Sequence, residues 1–227
     1  MWLVFGLRVP EIFKNKPHRH IPLIETRAVV FNPEKALLEA SDQEALLFTS
    51  QEGAFYFKAV LEKLPKGKKV FCVGPKTAEA VKKFYMGPLY IPETYDQEGL
   101  VSLVKLHLPS SLYYPKAKIT RSYLEEALCE MEIPCTYQVI YETRQKVPDD
   151  FPKEVPSGYF FSSPSSVSAF KALGIPLHEV PIWVQGKVTR EALQKELQRE
   201  SLVQQIPQDL SRCLDKESLE FCIYGGF

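Results

Sequence analysis

The sequence Leu47-Phe48-Thr49-Ser50 ends an apolar run with two hydroxyl residues and recurs as Phe160-Phe161-Ser162-Ser163. A second segment, Phe71-Cys72-Val73-Gly74-Pro75-Lys76-Thr77, recurs as Trp183-Val184-Gln185-Gly186-Lys187-Val188-Thr189. The offset is 113 positions from Thr49 to Ser162 and 112 positions from Thr77 to Thr189. An internal repeat with conserved spacing is typical of duplicated structural units. The sequence therefore predicts two similar domains.

Short β-type apolar runs alternate with helical patterns through most of the chain. The runs fall at 45–49, 69–73, 112–114, 137–141, 159–162 and 181–184, and the helical patterns at 55–64, 78–84, 122–131 and 167–173. This alternation indicates βαβ units and parallel sheets, and so an α/β fold. Gln145 to Ser157, rich in Pro, Asp and Lys, is typical of a linker between domains.

The composition excludes several classes of partner. The 28 basic and 28 acidic side chains cancel, which argues against duplex DNA or an anionic membrane as a partner. No apolar run approaches the roughly 20 residues that span a bilayer. The five cysteines include no Cys-x-x-Cys pair and no zinc-ligand spacing, so we expect free thiols, no metal and a cytoplasmic location.

Each repeated motif passes from a strand through hydroxyl or glycine residues directly into a helix. Ser and Thr at such junctions commonly cap the helix. The same junctions lie where strand carboxyl ends and helix amino ends meet, and exposed N–H groups there attract anions. The alternatives of capping and anion binding stay open for six candidates, namely Thr49, Ser50, Thr77, Ser162, Ser163 and Thr189.

Basic residues follow two further strands. The segment Tyr113–Arg121 contains three cations, Lys116, Lys118 and Arg121, and Arg8 follows the first strand. Such cations suit carboxylate or phosphate oxygens, although a solvated basic turn is an equal alternative. The cluster from Lys14 to His20 has no metal-ligand spacing, and we predict an exposed loop there.

The sequence carries no recognisable catalytic triad, paired carboxylates or Cys-His couple. Tyr141, in Val139-Ile140-Tyr141-Glu142-Thr143-Arg144, is predicted at the end of a strand just before the linker. A phenol has a pKa of about 10 and can donate a hydrogen bond while uncharged. Tyr141 is therefore the candidate catalytic residue, with an amphipathic strand-edge tyrosine as the alternative.

The order and spacing of these motifs resemble the uroporphyrinogen-III synthase family over most of the chain, up to about residue 195. The matching segments are Arg8, Ile21–Thr26, Phe48–Ser50, Val73–Ala78, Pro115 with Arg121, Tyr141–Thr143, Phe161–Ser165 and Gly186–Thr189. No single motif is diagnostic; their order is. The chain departs from the family pattern in the short, proline-broken span Val9–Arg19, at Gln185, and in the tail 199–227, where only a helix at Gln208–Leu214 is expected.

The resemblance implies two flavodoxin-like α/β domains joined by a two-stranded connector, with the active site in the cleft between them. Residues 1–24 and 146–227 would form a discontinuous first domain, and residues 25–145 an inserted second domain. We expect a monomer that uses no cofactor.

The resemblance also implies the substrate, hydroxymethylbilane, a linear tetrapyrrole with acetate and propionate carboxylates on each ring. Tyr141 would assist departure of the ring A hydroxyl, while Thr77, Ser50, Ser163 and Thr189 would hold carboxylates. Two other classes stay open: a non-catalytic binding protein for a carboxylated small molecule or tetrapyrrole, and a flavodoxin-type protein that holds a flavin phosphate.

Overall fold

A computed structural model describes residues 1–197 and the strand 203–206; the helix expected at Gln208–Leu214 lies outside the described residues. The strands are β1 Trp2–Phe5, β2 His18–His20, β3 Ile24–Ala28, β4 Ala45–Phe48, β5 Lys69–Cys72, β6 Leu89–Tyr90, β7 Leu112–Ala117, β8 Cys135–Gln145, β9 Gly158–Phe161, β10 Ile182–Gln185 and β11 Val203–Ile206. The helices are α1 Pro33–Asp42, α2 Gln51–Tyr56, α3 Lys58–Leu61, α4 Pro75–Lys82, α5 Gln97–His107, α6 Tyr123–Glu130, α7 Pro164–Ala172 and α8 Lys187–Leu197, with a 3-10 helix at Glu11–Phe13.

The chain divides into two compact units. Unit 1 is residues 1–25 with 144–227, and unit 2 is residues 26–143. Unit 1 contains a parallel five-stranded sheet in the order β2-β1-β9-β10-β11. Numbered along the chain, that order is 2-1-3-4-5, which is the flavodoxin arrangement.

Unit 2 is built on the sheet β6-β5-β4-β7-β8-β3. Its strands from β4 to β8 are parallel and follow the order 3-2-1-4-5, as in dinucleotide-binding folds. The sixth strand, β3, runs antiparallel to β8, because Val29 N–H donates to Ile140 O and Lys146 N–H donates to Leu23 O. These two strands are the segments through which the chain passes from one unit to the other.

The central strands of the unit 2 sheet are buried on both faces. In β4, Leu46 and Phe48 pack into one apolar cluster, while Ala45 and Leu47 pack into another on the opposite face. Successive strand residues point to opposite faces, and a sheet covered on both faces needs apolar residues at every position. The continuous apolar runs in the sequence reflect this burial, and the α/β class with parallel sheets is confirmed.

The sheet of unit 1 is covered unequally. Phe5 and Phe161 point into the larger cluster, which α7 and α8 cover, whereas Val4 and Phe160 pack with Phe13 in a smaller one. The connection between β1 and β2 contains only the 3-10 helix, so the expected absence of a full crossover helix in Val9–Arg19 is confirmed.

The prediction of an exposed loop at the Lys14–His20 cluster is wrong for its last three residues. His18, Arg19 and His20 form β2, which pairs in parallel with β1 at the edge of the sheet. Three polar residues carry no strand pattern of their own, and the backbone partner in β1 decides their conformation. None of the described helices is long and apolar enough to cross a membrane.

Candidate active site

In unit 2 the candidate residues lie at the carboxyl ends of neighbouring strands. Thr49 and Ser50 follow β4, and Lys116 lies near the end of the adjacent strand β7. The strand order reverses between these two strands, and the crevice outside such a reversal is where open α/β sheets bind ligands. The hydroxyl residues therefore lie at the position where the topology favours a ligand.

Ser50 links the start of α2 to Tyr141. Its Oγ accepts a hydrogen bond from Gly53 N–H at 2.9 Å and so caps the helix. The same Oγ lies 2.9 Å from the hydroxyl oxygen of Tyr141. Capping and a contact with the candidate catalytic residue are thus combined in one side chain.

Tyr141 is 7% exposed and lies within β8, which continues four residues beyond it to Gln145. The predicted end of the strand at this residue is therefore wrong; pairing with β3 extends the strand. Burial raises the pKa of the Tyr141 phenol above its usual value, while the hydrogen bond with Ser50 opposes the rise. The phenol is therefore neutral at physiological pH and has a proton to donate.

Thr49 makes an equivalent contact with a second tyrosine. Its Oγ1 lies 2.9 Å from the hydroxyl oxygen of Tyr114 in β7. Tyr114 is buried, and burial raises the pKa of its phenol. Tyr114 was not among the predicted site residues, because a tyrosine inside a buried strand has the pattern of a core residue. Two consecutive hydroxyls after β4 thus each contact a phenol, on β7 and β8 respectively.

Thr77 occupies the third position of α4 rather than its cap. The cap residue is Gly74, Pro75 begins the helix, and Thr77 is 5% exposed. The glycine is packed closely, because a Cβ at position 74 would lie 3.1 Å from Cβ of Tyr95. The first turn of α4 therefore combines uncapped backbone N–H groups with a hydroxyl, a combination suited to an oxygen anion.

The two cations predicted in unit 2 are both paired with carboxylates. Lys116 forms an ion pair with Glu125, and its Nζ lies 5.6 Å from the ring centre of Tyr137. Arg121 pairs with Glu98 at 3.1 Å on the surface. Lys116 must exchange Glu125 for a ligand before it can bind one, whereas the exposed Arg121 pair is weak and readily exchanged.

In unit 1 the corresponding reversal of strand order lies between β1 and β9. Ser162 and Ser163 follow β9, and Ser163 caps α7 in a capping box with Ser166. Ser162 lies against Gly6 at the end of β1, where a Cβ would be 2.0 Å from the serine Oγ. Gly6 has φ +155° and must be glycine for this approach.

Two further candidates lie at the same edge of unit 1. Arg8 is exposed three residues beyond the end of β1. Thr189 is the third residue of α8 and is 3% exposed, after Gly186 with φ +81°. Thr189 thus has the same helix position as Thr77 in unit 2. Among the described residues no cluster of three potential metal ligands occurs.

These features define a class: an α/β protein of two compact units, with hydroxyl and helix-start groups at the carboxyl edge of the parallel strands in each sheet. The family model HEM4, described as uroporphyrinogen-III synthase HemD, matches residues 19–209. The chain therefore belongs to the uroporphyrinogen-III synthase family, whose members are cyclising lyases of haem biosynthesis. The resemblance found in the sequence is confirmed.

Solved structures support the fold independently. The uroporphyrinogen-III synthetase of Helicobacter pylori is 20% identical with a TM-score of 0.63, and the match covers 88% of this chain and 91% of that one. A mutant uroporphyrinogen III synthase of Thermus thermophilus is 18% identical with a TM-score of 0.60, over 92% of this chain and 93% of that one. At these identities the likeness shows the fold alone.

Proposed function

We propose that this chain converts hydroxymethylbilane into uroporphyrinogen III, closing the ring with inversion of ring D and loss of water. The observation that carries the proposal is the family match over residues 19–209, together with the neutral Tyr141 phenol held by Ser50. The alternatives of a non-catalytic binding protein and a flavin protein have no supporting observation.

Either hydroxyl of the Ser50–Tyr141 pair can be the donor. For Tyr141 to donate to the substrate, Ser50, whose Oγ accepts from Gly53 N–H, must turn its own hydrogen towards the Tyr141 oxygen. The Tyr141 oxygen then acts as an acceptor towards Ser50, and its hydrogen is available for the substrate. Tyr141 would donate this hydrogen bond to the departing ring A hydroxyl, which leaves as water with the proton that the ring A pyrrole N–H gives up as the azafulvene forms.

Loss of the hydroxyl breaks a C–O bond and gives an azafulvene. The substituted position of ring D attacks its methylene carbon, forming a carbon–carbon bond in a spiro intermediate. The older bond from that ring D position to the methylene next to ring C then breaks. That methylene bonds to the other α position of ring D, which loses its proton, so that ring D is reversed. Uncatalysed closure gives the type I isomer instead. The protein must therefore supply orientation above all, which is the kind of catalysis that comes from fixing reacting groups in one geometry.

The protein would orient the substrate by binding its carboxylates. We assign carboxylate binding to Thr49, Thr77, Lys116, Arg121 and the helix start that Ser50 caps in unit 2, and to Arg8, Ser162, Ser163 and Thr189 in unit 1. Helix starts and hydroxyls suit carboxylates because both offer hydrogen-bond donors, and the helix dipole adds a favourable field. The enzyme as proposed acts as a monomer in the cytoplasm, a location that suits the free thiols of Cys72, Cys129 and Cys135.

Product analysis tests the function. Purified protein is given freshly generated hydroxymethylbilane, the products are oxidised, and the type I and type III uroporphyrins are separated by chromatography. An excess of type III that grows with protein concentration is expected. Type I alone, under conditions in which a known synthase yields type III, would contradict the proposal.

A further inference from the structure

Tyr56, the last residue of α2, packs face to face against Tyr141. The two ring centres lie 5.4 Å apart and the ring planes differ by 13°, which is offset stacking. The Tyr56 hydroxyl donates to Thr26 O at 2.9 Å, with Thr26 Oγ1 at 3.0 Å. The Tyr56 ring is therefore held at one end by α2 and at the other by β3.

The two neighbours of Tyr141 restrain different motions of its side chain. The hydrogen bond with Ser50 fixes the position of the phenol oxygen, but a single hydrogen bond at the tip permits the ring to turn about its long axis. The stacked ring of Tyr56 opposes that turn, because the Tyr141 ring would have to leave the stack. Together the two contacts fix both the oxygen and the plane in which its O–H bond lies.

We infer that Tyr56 is a positioning residue for the synthase reaction, holding the ring of Tyr141 in the plane from which its hydroxyl reaches the substrate. Tyr56 itself takes no part in bond making. The inference rests on the proposed role of Tyr141. Its physical basis is that small displacements of a catalytic group cost up to about a hundredfold in rate.

A matched control distinguishes positioning from ordinary packing. Tyr85 is also a tyrosine of unit 2, and its hydroxyl lies 3.0 Å from Pro65 O and 2.6 Å from Lys68 O. Tyr85→Phe therefore removes the same kind of hydrogen bond as Tyr56→Phe, away from Tyr141. If Tyr56→Phe changes the ring motion of Tyr141 or lowers kcat and Tyr85→Phe does neither, the cause is the place of Tyr56 beside Tyr141. Loss of a tyrosine hydrogen bond alone would affect both variants.

Ring motion of Tyr141 tests the inference without substrate. NMR of protein with ring-labelled tyrosine, assigned with Tyr141→Phe, gives the flipping rate of the Tyr141 ring. We expect Tyr56→Leu to raise this rate at least about tenfold and Tyr56→Phe, which keeps the stack, to raise it less. A rate unchanged in Tyr56→Leu would overturn the inference whatever the fate of the proposed function.

Kinetics then test the consequence. We expect kcat for type III formation to fall about tenfold in Tyr56→Leu and about threefold in Tyr56→Phe, with KM within twofold and with Tyr85→Phe unaffected. In a Tyr141→Phe background neither change should lower kcat further, because the group that Tyr56 positions is gone. If Tyr56→Leu lowered kcat in that background as much as it does in wild type, the inference would be overturned. An inactive wild-type protein would instead contradict the proposed function. In that case the ring-flip rate would still decide the role of Tyr56.

Discussion

The Ser50 hydroxyl lies 2.9 Å from the Tyr141 phenol, although 91 positions separate the two residues in the sequence. Ser50 follows β4 and starts α2, whereas Tyr141 lies in β8. The strand β7 lies between β4 and β8 in the sheet. This contact joins a common capping residue to the candidate catalytic group. It also permits the two roles of Ser50 to be separated by substitution.

Ser50→Gly and Ser50→Ala should lower activity equally but differ in stability. Ala at the helix cap costs about 1 kcal/mol of unfolding free energy, whereas Gly costs only a few tenths. Both remove the hydrogen bond to Tyr141, so we expect the rate of type III formation to fall about tenfold in each. Denaturant unfolding and product analysis measure the two effects; full activity in Ser50→Gly would show that the contact with Tyr141 is irrelevant.

Gly6→Ala should destabilise unit 1. The new Cβ would lie 2.0 Å from Ser162 Oγ, and the φ of +155° is unfavourable for alanine. We expect a loss of about 2–3 kcal/mol in unfolding free energy, as for other forced steric clashes. Gly67→Ala is the control, because no atom lies within 4 Å of its Cβ. A loss in Gly6→Ala no larger than in this control would contradict the packing described here.

The stability contributed by Glu44 should disappear in acid. The N–H of Ser110 and the ammonium of Lys69 hold the pKa of Glu44 at about 2, below its ordinary 4.5. A lowered pKa stabilises the folded state above pH 4.5, and that stabilisation is lost as the pH falls towards 2. Because 34% of the side chain is exposed, water screens the effect, and we expect Glu44→Gln to cost about 1 kcal/mol at pH 7.

Urea unfolding of wild type and Glu44→Gln between pH 7 and pH 2.5 measures this difference. It should shrink steadily below pH 4.5. A difference that stays constant over the whole range would mean that Glu44 contributes through packing alone.

Arg121→Gln should weaken substrate binding and leave the fold unchanged. Its partner Glu98 is about half exposed, and surface ion pairs of this kind contribute about 0–1 kcal/mol to stability. If Arg121 binds a substrate carboxylate, KM should rise about three- to tenfold with little change in kcat. Lys35→Gln is the control, because it removes another surface ion pair, with Glu39 on α1, and should leave KM unchanged. If both variants had the KM of wild type, Arg121 would not bind the substrate.

The sequence is informative where one short segment determines its own structure. The apolar runs before Thr49 and Ser162 predict buried parallel strands, and the hydroxyls after them include the helix caps Ser50 and Ser163. Thr77 and Thr189 differ, because Gly74 and Gly186 precede their helices and place the threonines in the first turn. Local chemistry thus predicts where a helix begins better than which residue caps it.

Features that depend on distant partners were not predictable. β2 forms from three polar residues because β1 offers them a free edge, and β8 extends past Tyr141 because β3 pairs with it. The contacts of Tyr141 with Ser50 and Tyr56, and of Thr49 with Tyr114, join residues 65 to 91 positions apart. Only the fold brings these pairs together, so the sequence patterns predict the hydroxyl residues but not the tyrosines that they contact.

The initial rate of type III formation, measured side by side for wild type and Tyr141→Phe, tests the central claim most directly. Phe keeps the ring and its stacking on Tyr56 but cannot donate a hydrogen bond. We predict a type III excess over the enzyme-free control for wild type and a rate about a hundredfold lower for the variant, as for loss of other preorganised donors. Equal rates for the two proteins, or only type I product from wild type, would contradict the account.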